Sequence, residues 1–290
     1  MQNLNEIRQH IRAVEQTRKL TNAMYLVASS RMKRALPHVE YDRMYFQKVQ
    51  AAMQEILRCG GRIHHPYLED RGDARCFYII VAGDKGMAGD YNATVLNLAW
   101  GHIQAHPNSH IATVGVMASR FFRERGVVPE SEVFGLPQDP SLENARRLTA
   151  AVKDLFDSGA VDRVYLVYTA FYSTVRTRPI VRQILPLLLS DPQTCEGDPE
   201  GGPMLYHPSP KAVFDRLVPE YMVSVLFASL VQSYASEHCA RMNAMRGATD
   251  SADGMLKKLR QQYNMARQAA ITREITEISG AAQALRLPED

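Results

Sequence analysis

The run Ala240-Arg-Met-Asn-Ala-Met-Arg-Gly-Ala-Thr249 lies inside a stretch, Glu220 to Leu287, that has no proline and only Gly247, Gly254 and Gly280 to interrupt its helix formers. Apolar residues return through it at helical spacing, so Glu220 to Ser279 reads as one helix. At about 1.5 Å per residue it reaches roughly 90 Å, where a mean globular helix has about 11 to 12 residues. A helix of that length needs a partner helix, a membrane or a surrounding sleeve. Leu256, Leu259, Tyr263, Ala266 and Ala270 form a regular seam, and Ile271, Ile275 and Ile278 carry apolar character to the tip.

The amino terminus offers the partner. Met1 to Leu36 has neither glycine nor proline, and Leu4, Ile7, Ile11 and Val14 form a coiled-coil seam. The stripe continues through Arg18, Thr21, Tyr25, Ala28 and Met32, while Leu20, Met24 and Val27 open a second apolar face beside it. An antiparallel pair is predicted. The lengths differ, about 54 Å for Met1 to Leu36 against roughly 90 Å, so part of the longer helix stands alone. If that part is the carboxyl tip, Ile271, Ile275, Ile278 and Ala281 are exposed unless another protein surrounds them. Pro37 is expected to kink or interrupt the first helix before Tyr45, Val49, Met53, Ile56 and Leu57 resume it up to Gly60-Gly61. Ser209 and Pro210 read as N-cap and first residue of the closing helical region, with Pro219 separating a lead-in helix from the long one.

The middle third changes character. Cys76 to Ala82, Ile111 to Val116 and Val164 to Thr169 are short apolar runs rich in β-formers, as in strands covered on both faces. Helical patterns alternate with them, Ala93 to Ala105 and Ser141 to Phe156, the second with Ser141 as N-cap. This alternation predicts a small Rossmann-like α/β domain with a largely parallel sheet, and Ile180 to Leu189 adds an edge strand limited by Pro179 and Pro186. The boundaries follow: an N-terminal coiled-coil helix at 1–59, the α/β domain at 73–190, and the C-terminal coiled-coil helix at 207–290. Asp191 to Pro203 reads as a glycine-, proline- and acid-rich loop.

Net charge is +3 over 290 residues, too little to argue for nucleic acid. Cys59, Cys76, Cys195 and Cys239 form no C-x-x-C pair, which fits a reducing compartment and gives no zinc motif. No window is apolar enough for a signal core or a membrane span, so neither export nor membrane insertion is expected. His64 and His65 stand in a loop without a third ligand at metal spacing. Gly83-Asp-Lys-Gly-Met-Ala-Gly89 has the spacing G-x-x-G-x-x-G, which matches neither dinucleotide fingerprint nor P-loop, and Asp84 and Asp90 would repel phosphate. It reads as a tight strand-to-helix turn. No catalytic residue, metal or cofactor is expected. The rival reading is an α/β domain that binds a nucleotide or other small ligand, oligomerised by its helices.

Ala240 to Thr249, then Tyr263-Asn-Met-Ala-Arg-Gln-Ala-Ala-Ile-Thr272 with Glu274 and Glu277-Ile278, resemble the carboxyl-terminal signature of the gamma subunit of F-type ATP synthase. Ile7-Arg8, Thr17, Thr21, Ala23-Met24, Val27-Ala28 and the basic run Arg31 to Arg34 are similar to its amino-terminal signature. His65 to Asp70 and Asp84 to Gly89 also resemble family segments, in the same order along the chain. Three departures stand out: Asn22 replaces the usual lysine, the turn reads Gly86-Met-Ala-Gly-Asp90, and Glu277-Ile-Ser-Gly-Ala281 is one residue short.

The resemblance implies a central-stalk rotor of a bacterial-type enzyme: an antiparallel coiled coil inside a ring of alpha and beta subunits, and an α/β foot on the epsilon subunit and the membrane c-ring. It implies a peripheral place on the cytoplasmic face of the cell membrane and a subunit with no active site of its own, coupling proton flow to ATP synthesis or hydrolysis. It assigns Met24 to an acidic beta-subunit lever segment, Arg267, Gln268 and Thr272 to beta-subunit catch loops, and Arg8, Lys19, Arg31, Lys33 and Arg34 to positive charge on the shaft.

Overall fold

A computed structural model describes residues 4–59, 63–72, 75–133, 140–188 and 206–284. The chain divides into two compact units, Met1–Val27 with Met242–Asp290, and Ala28–Arg241. Two helices contribute to both: α1 (Leu4–Cys59) and α5 (Pro210–Ala284).

The α/β unit is built on a five-stranded sheet. Its strands are β1 (Cys76–Val81), β2 (Ser109–Val114), β3 (Ser131–Val133), β4 (Arg163–Phe171) and β5 (Thr177–Leu185). They lie in the order β3-β2-β1-β4-β5, parallel except for the antiparallel edge pair β4 and β5. The central strand β1 is buried at every position, as its unbroken apolar sequence requires. Phe77, Ile79 and Val81 pack to one face with Val152 and Phe156 of α4 (Leu142–Asp157), Met53 and Ile56 of α1, and Phe214, Met222 and Leu226 of α5. Tyr78 and Ile80 pack to the other with Val95, Leu96 and Ala99 of α2 (Tyr91–Gln104) and Phe122 of α3 (Val116–Arg123).

Ser141 caps α4, its hydroxyl accepting from Asn144 N, and Ser209 caps α5, accepting from Ala212 N at 3.2 Å. Neither proline breaks its helix. Pro37 lies inside the 56 residues of α1 and Pro219 inside the 75 of α5. An interior proline costs about 3 kcal/mol, and packing on both sides offsets it: Met32, Ala35, Val49 and Met53 are buried around the first, Val218, Tyr221 and Met222 around the second. β2 ends at Val114, and Gly115 and Val116 turn the chain directly into α3. The short α3 and β3 have no counterpart in the sequence reading. Gly60-Gly61 and the segment Asp191 to Pro203 lie outside the described residues.

One carboxyl in this unit works against its burial. Asp42 Oδ2 on α1 is buried with no hydrogen-bond partner among the described residues, and desolvation, opposed by His38, pushes its pKa from 3.8 up to about 6. A carboxyl pKa raised by folding gives stability that is fully present below the unfolded value and is lost as pH rises through about 6. Asp42→Asn is therefore expected to stabilise the protein at pH 7.5 by about 1 kcal/mol, allowing for solvent screening at a half-buried site. Urea melts at two pH values check it: the advantage should disappear by pH 4, and an equal gain at both would contradict the assignment.

Candidate functional site

The helical unit pairs the start of α1 with the end of α5. Thr21 Oγ1 lies 2.8 Å from Thr249 Oγ1, Arg18 Nε 2.5 Å from Asp253 Oδ1, Arg260 Nη2 2.9 Å from Glu15 Oε1, and Arg8 Nη2 donates to the Tyr263 hydroxyl at 2.7 Å. Partners descend α1 as they ascend α5, so the pair is antiparallel. Ile7, Thr21, Met245, Ala252 and Leu256 are buried in the seam. Leu4, Ile11, Val14, Leu259, Tyr263, Ala266 and Ala270 are half-buried along it.

Two apolar surfaces of this unit face outward. Leu20, Leu26 and Val27 are exposed on α1, beside a half-buried Met24. On α5 every residue from Ile271 to Ala282 is exposed, with Ile275 at 61% and Ile278 at 71%.

Of the residues matched by resemblance, Arg8 is bound to Tyr263, with its guanidinium carbon 5.6 Å from the ring centre. Lys19 is exposed and lines a groove of about 670 Å³ with Arg18, Asp253, Lys257 and Arg260. Arg267 and Gln268 are exposed, and Thr272 Oγ1 donates to Gln268 O at 3.0 Å. Arg31, Lys33 and Arg34 belong to the α/β unit and are exposed there.

Sequence reasoning missed a buried polar cluster within the α/β unit. Glu237 and Arg241, one turn apart on α5, form a 2.6 Å ion pair with both side chains largely buried. Arg241 Nη2 also donates to the carbonyls of Lys85 and Gly86, at 3.4 and 3.2 Å. Burial raises the Glu237 pKa, and the charges of Arg241 and Arg31 oppose that rise. Burial, with the same two arginines, pushes His238 down to about 4, so it is neutral and can accept from Arg241. The available signal was the opposite charge at i and i+4, Glu237 and Arg241, in a stretch from Val225 to Arg241 that holds no other Asp, Glu, Lys or Arg.

This cluster fills the place, outside the carboxyl end of β1, where doubly wound sheets hold ligands. A Cβ on Gly83 would meet the Glu237 carboxyl carbon at 3.0 Å, and Gly83 N–H is taken by Asn92 Oδ1 at 2.8 Å. Asp84 Oδ1 accepts from Val116 N at the start of α3, and Met117 N donates to Gly83 O. Three backbone donors around this turn, the amides of Gly83, Val116 and Met117, are thus bonded within the protein, and the carboxylates of Asp84 and Glu237 stand beside them. Among the described residues no group of three His, Cys, Asp or Glu side chains could hold a metal, and no helix is long and apolar enough to cross a membrane.

An antiparallel helical pair with an outrunning apolar tip, joined in one chain to a doubly wound sheet whose ligand crevice is filled, defines a stalk-type subunit. A family model described as ATP synthase matches residues 3–285. The ATP synthase gamma chain of Heliobacterium modesticaldum is 35% identical over 289 residues, covering 98% of this chain and all of that one. The sodium ion specific ATP synthase gamma chain of Acetobacterium woodii is 35% identical over 299 residues, covering 98% and 99%. In fold, a chain of the Euglena gracilis mitochondrial ATP synthase, from a cryo-EM structure of OSCP, F1 and c-ring, superposes with a TM-score of 0.70 at 14% identity, covering 99% of this chain and 97% of that one. The chain belongs to the ATP synthase gamma-chain family, the central-stalk rotor subunits of the F-type enzyme.

Two outcomes follow for the α/β unit. Arg241→Ala leaves a buried carboxylate uncompensated and is expected to cost about 3–5 kcal/mol, a loss that shrinks as pH falls and Glu237 is protonated; a surface-like cost below 1 kcal/mol in denaturant melts would refute the pairing. Gly115 has φ +99 and a Cβ there would stand 2.2 Å from Ala82 O, whereas Gly159 at φ +70 faces open space. Gly159→Ala should cost about 1–2 kcal/mol from backbone strain alone. Gly115→Ala should cost clearly more.

Proposed function

We propose that this chain turns as the shaft of a bacterial ATP synthase, linking ion flow through the membrane sector to nucleotide turnover in the catalytic ring, with no active site of its own. As a member of its family it is a subunit of a membrane-associated complex. The finer reading takes residues 1–59 and 207–290 as shaft helices and 73–190 as the foot. Its partners are then the alpha and beta subunits, epsilon and the c-ring, on the cytoplasmic face of the cell membrane.

The observation that carries this reading is the exposed stripe Ile271, Ile275 and Ile278 near the carboxyl end of α5, in a run where every residue from Ile271 to Ala282 is exposed. An apolar stripe on a single helix is stable only when something covers it. A surface that must slide past successive neighbours is better served by apolar contact and long-range charge than by fixed hydrogen bonds, each worth about 0.5–1.5 kcal/mol and each to be broken at every step. The nine matched residues fit that demand. Arg8, Lys19, Arg31, Lys33, Arg34 and Arg267 supply charge, Met24 supplies adaptable apolar surface, and Gln268 and Thr272 supply the few polar contacts.

Reconstitution of alpha and beta subunits with this chain should restore assembly and ATPase activity, and unchanged activity on adding it would reject the rotor reading. Removal of residues from Ile271 onward should weaken coupling or assembly while the α/β unit keeps its cooperative melt. Collapse of that melt would show the tip to be structural.

A further inference from the structure

His102 lies in the last turn of α2 and His106 two residues past its end, their rings stacked with centres 5.0 Å apart and 16° between planes. Both direct Nδ1 toward the hydroxyl of Tyr78 on β1, at 2.7 Å from His102 and 3.1 Å from His106. His106 Nδ1 is also 2.9 Å from the His102 carbonyl oxygen, while the His106 amide donates to Ile103 O. Nitrogen, oxygen, nitrogen and oxygen therefore succeed one another at 2.7, 3.1 and 2.9 Å.

That spacing has a second meaning besides hydrogen bonding. Two ligand atoms bonded at about 2.0–2.1 Å to one cation and at right angles to each other are about 2.9 Å apart. Imidazole nitrogens with phenol and carbonyl oxygens are the donor set that tetragonal late first-row ions favour. The surroundings hold the donors in place: Tyr165 stacks on Tyr78 at 5.2 Å and meets His102 edge-on at 5.0 Å, and Ser109 Oγ donates to His106 O. Ordered supports of this kind are what fix a ligand set before the ion arrives.

We propose that Tyr78, His102 and His106, with the His102 carbonyl, form a binding site for a late first-row divalent cation, Cu2+ being the tightest of the series. Binding displaces one proton from the phenol to solvent and moves the His106 proton from Nδ1 to Nε2, which frees both Nδ1 lone pairs for the ion. No redox step is involved. The site spans β1 and α2, so occupancy ties strand to helix and stabilises the unit that contains them.

The test is a Cu2+ titration of the full chain, followed by calorimetry and visible absorption. One ion per chain should bind, with a phenolate-to-copper charge-transfer band. Tyr78→Phe should abolish the band, and His102→Asn with His106→Gln, which keeps hydrogen-bonding capacity and so limits unfolding, should weaken that binding about tenfold or more. A thermal melt without metal verifies that each variant is folded. Equal affinity in the double variant, a band that survives Tyr78→Phe, or no binding at one ion per chain would each overturn the site.

Discussion

A helix satisfies its own backbone, but water competes for every bond it makes, so a helix of 75 residues persists only as far as its side chains are buried. In α5 that burial is graded. From Phe214 to Cys239 apolar residues are covered on nearly every side; from Met245 to Leu256 burial narrows to a seam; from Ile271 onward no residue up to Ala282 is covered. The chemistry follows the gradient. Where burial is complete the helix carries a paired acid and base, Glu237 and Arg241, which hold the turn after β1. Where burial is a seam it carries exposed ion pairs, each worth little in water. Where burial is absent it carries isoleucines.

The all-round burial of Phe214 to Cys239 also accounts for the filled crevice at the carboxyl end of β1. A doubly wound sheet ordinarily leaves that edge open to a ligand. Here the side chains of α5 occupy it, and Gly83 has no Cβ because the Glu237 carboxyl needs the space. The same fold that binds nucleotides elsewhere uses its strand-to-helix turn as a socket for one of its own helices.

Much of this was legible from spacing. The seam residues Leu4, Ile7, Ile11 and Val14, and Leu256 through Ala270, are where periodicity puts them, because one-sided burial leaves a clear 3.6-residue signal. The strands β1, β2 and β4 were readable because strands buried on both faces are continuous apolar runs. Pro37 and Pro219 misled for a physical reason: local propensity counts the lost hydrogen bond but not the core residues on either side that hold the helix together. The polar cluster was harder, since a pair at i and i+4 looks the same in sequence whether it lies in water or beneath a turn. Nor did sequence bring Tyr78 to His102 and His106, because that meeting depends on how α2 lies across β1.

The hydroxyl pair of Thr21 and Thr249 is a part-buried polar bond that joins the two paired helices. Apolar side chains in a seam tolerate sliding, because a methyl group is nearly as content against one neighbour as the next. Two hydroxyls that have lost their water are not, and they match in a single axial position. In mechanical terms the pair is a shear pin. It lets the helices flex and twist together under load while fixing how far one can creep along the other.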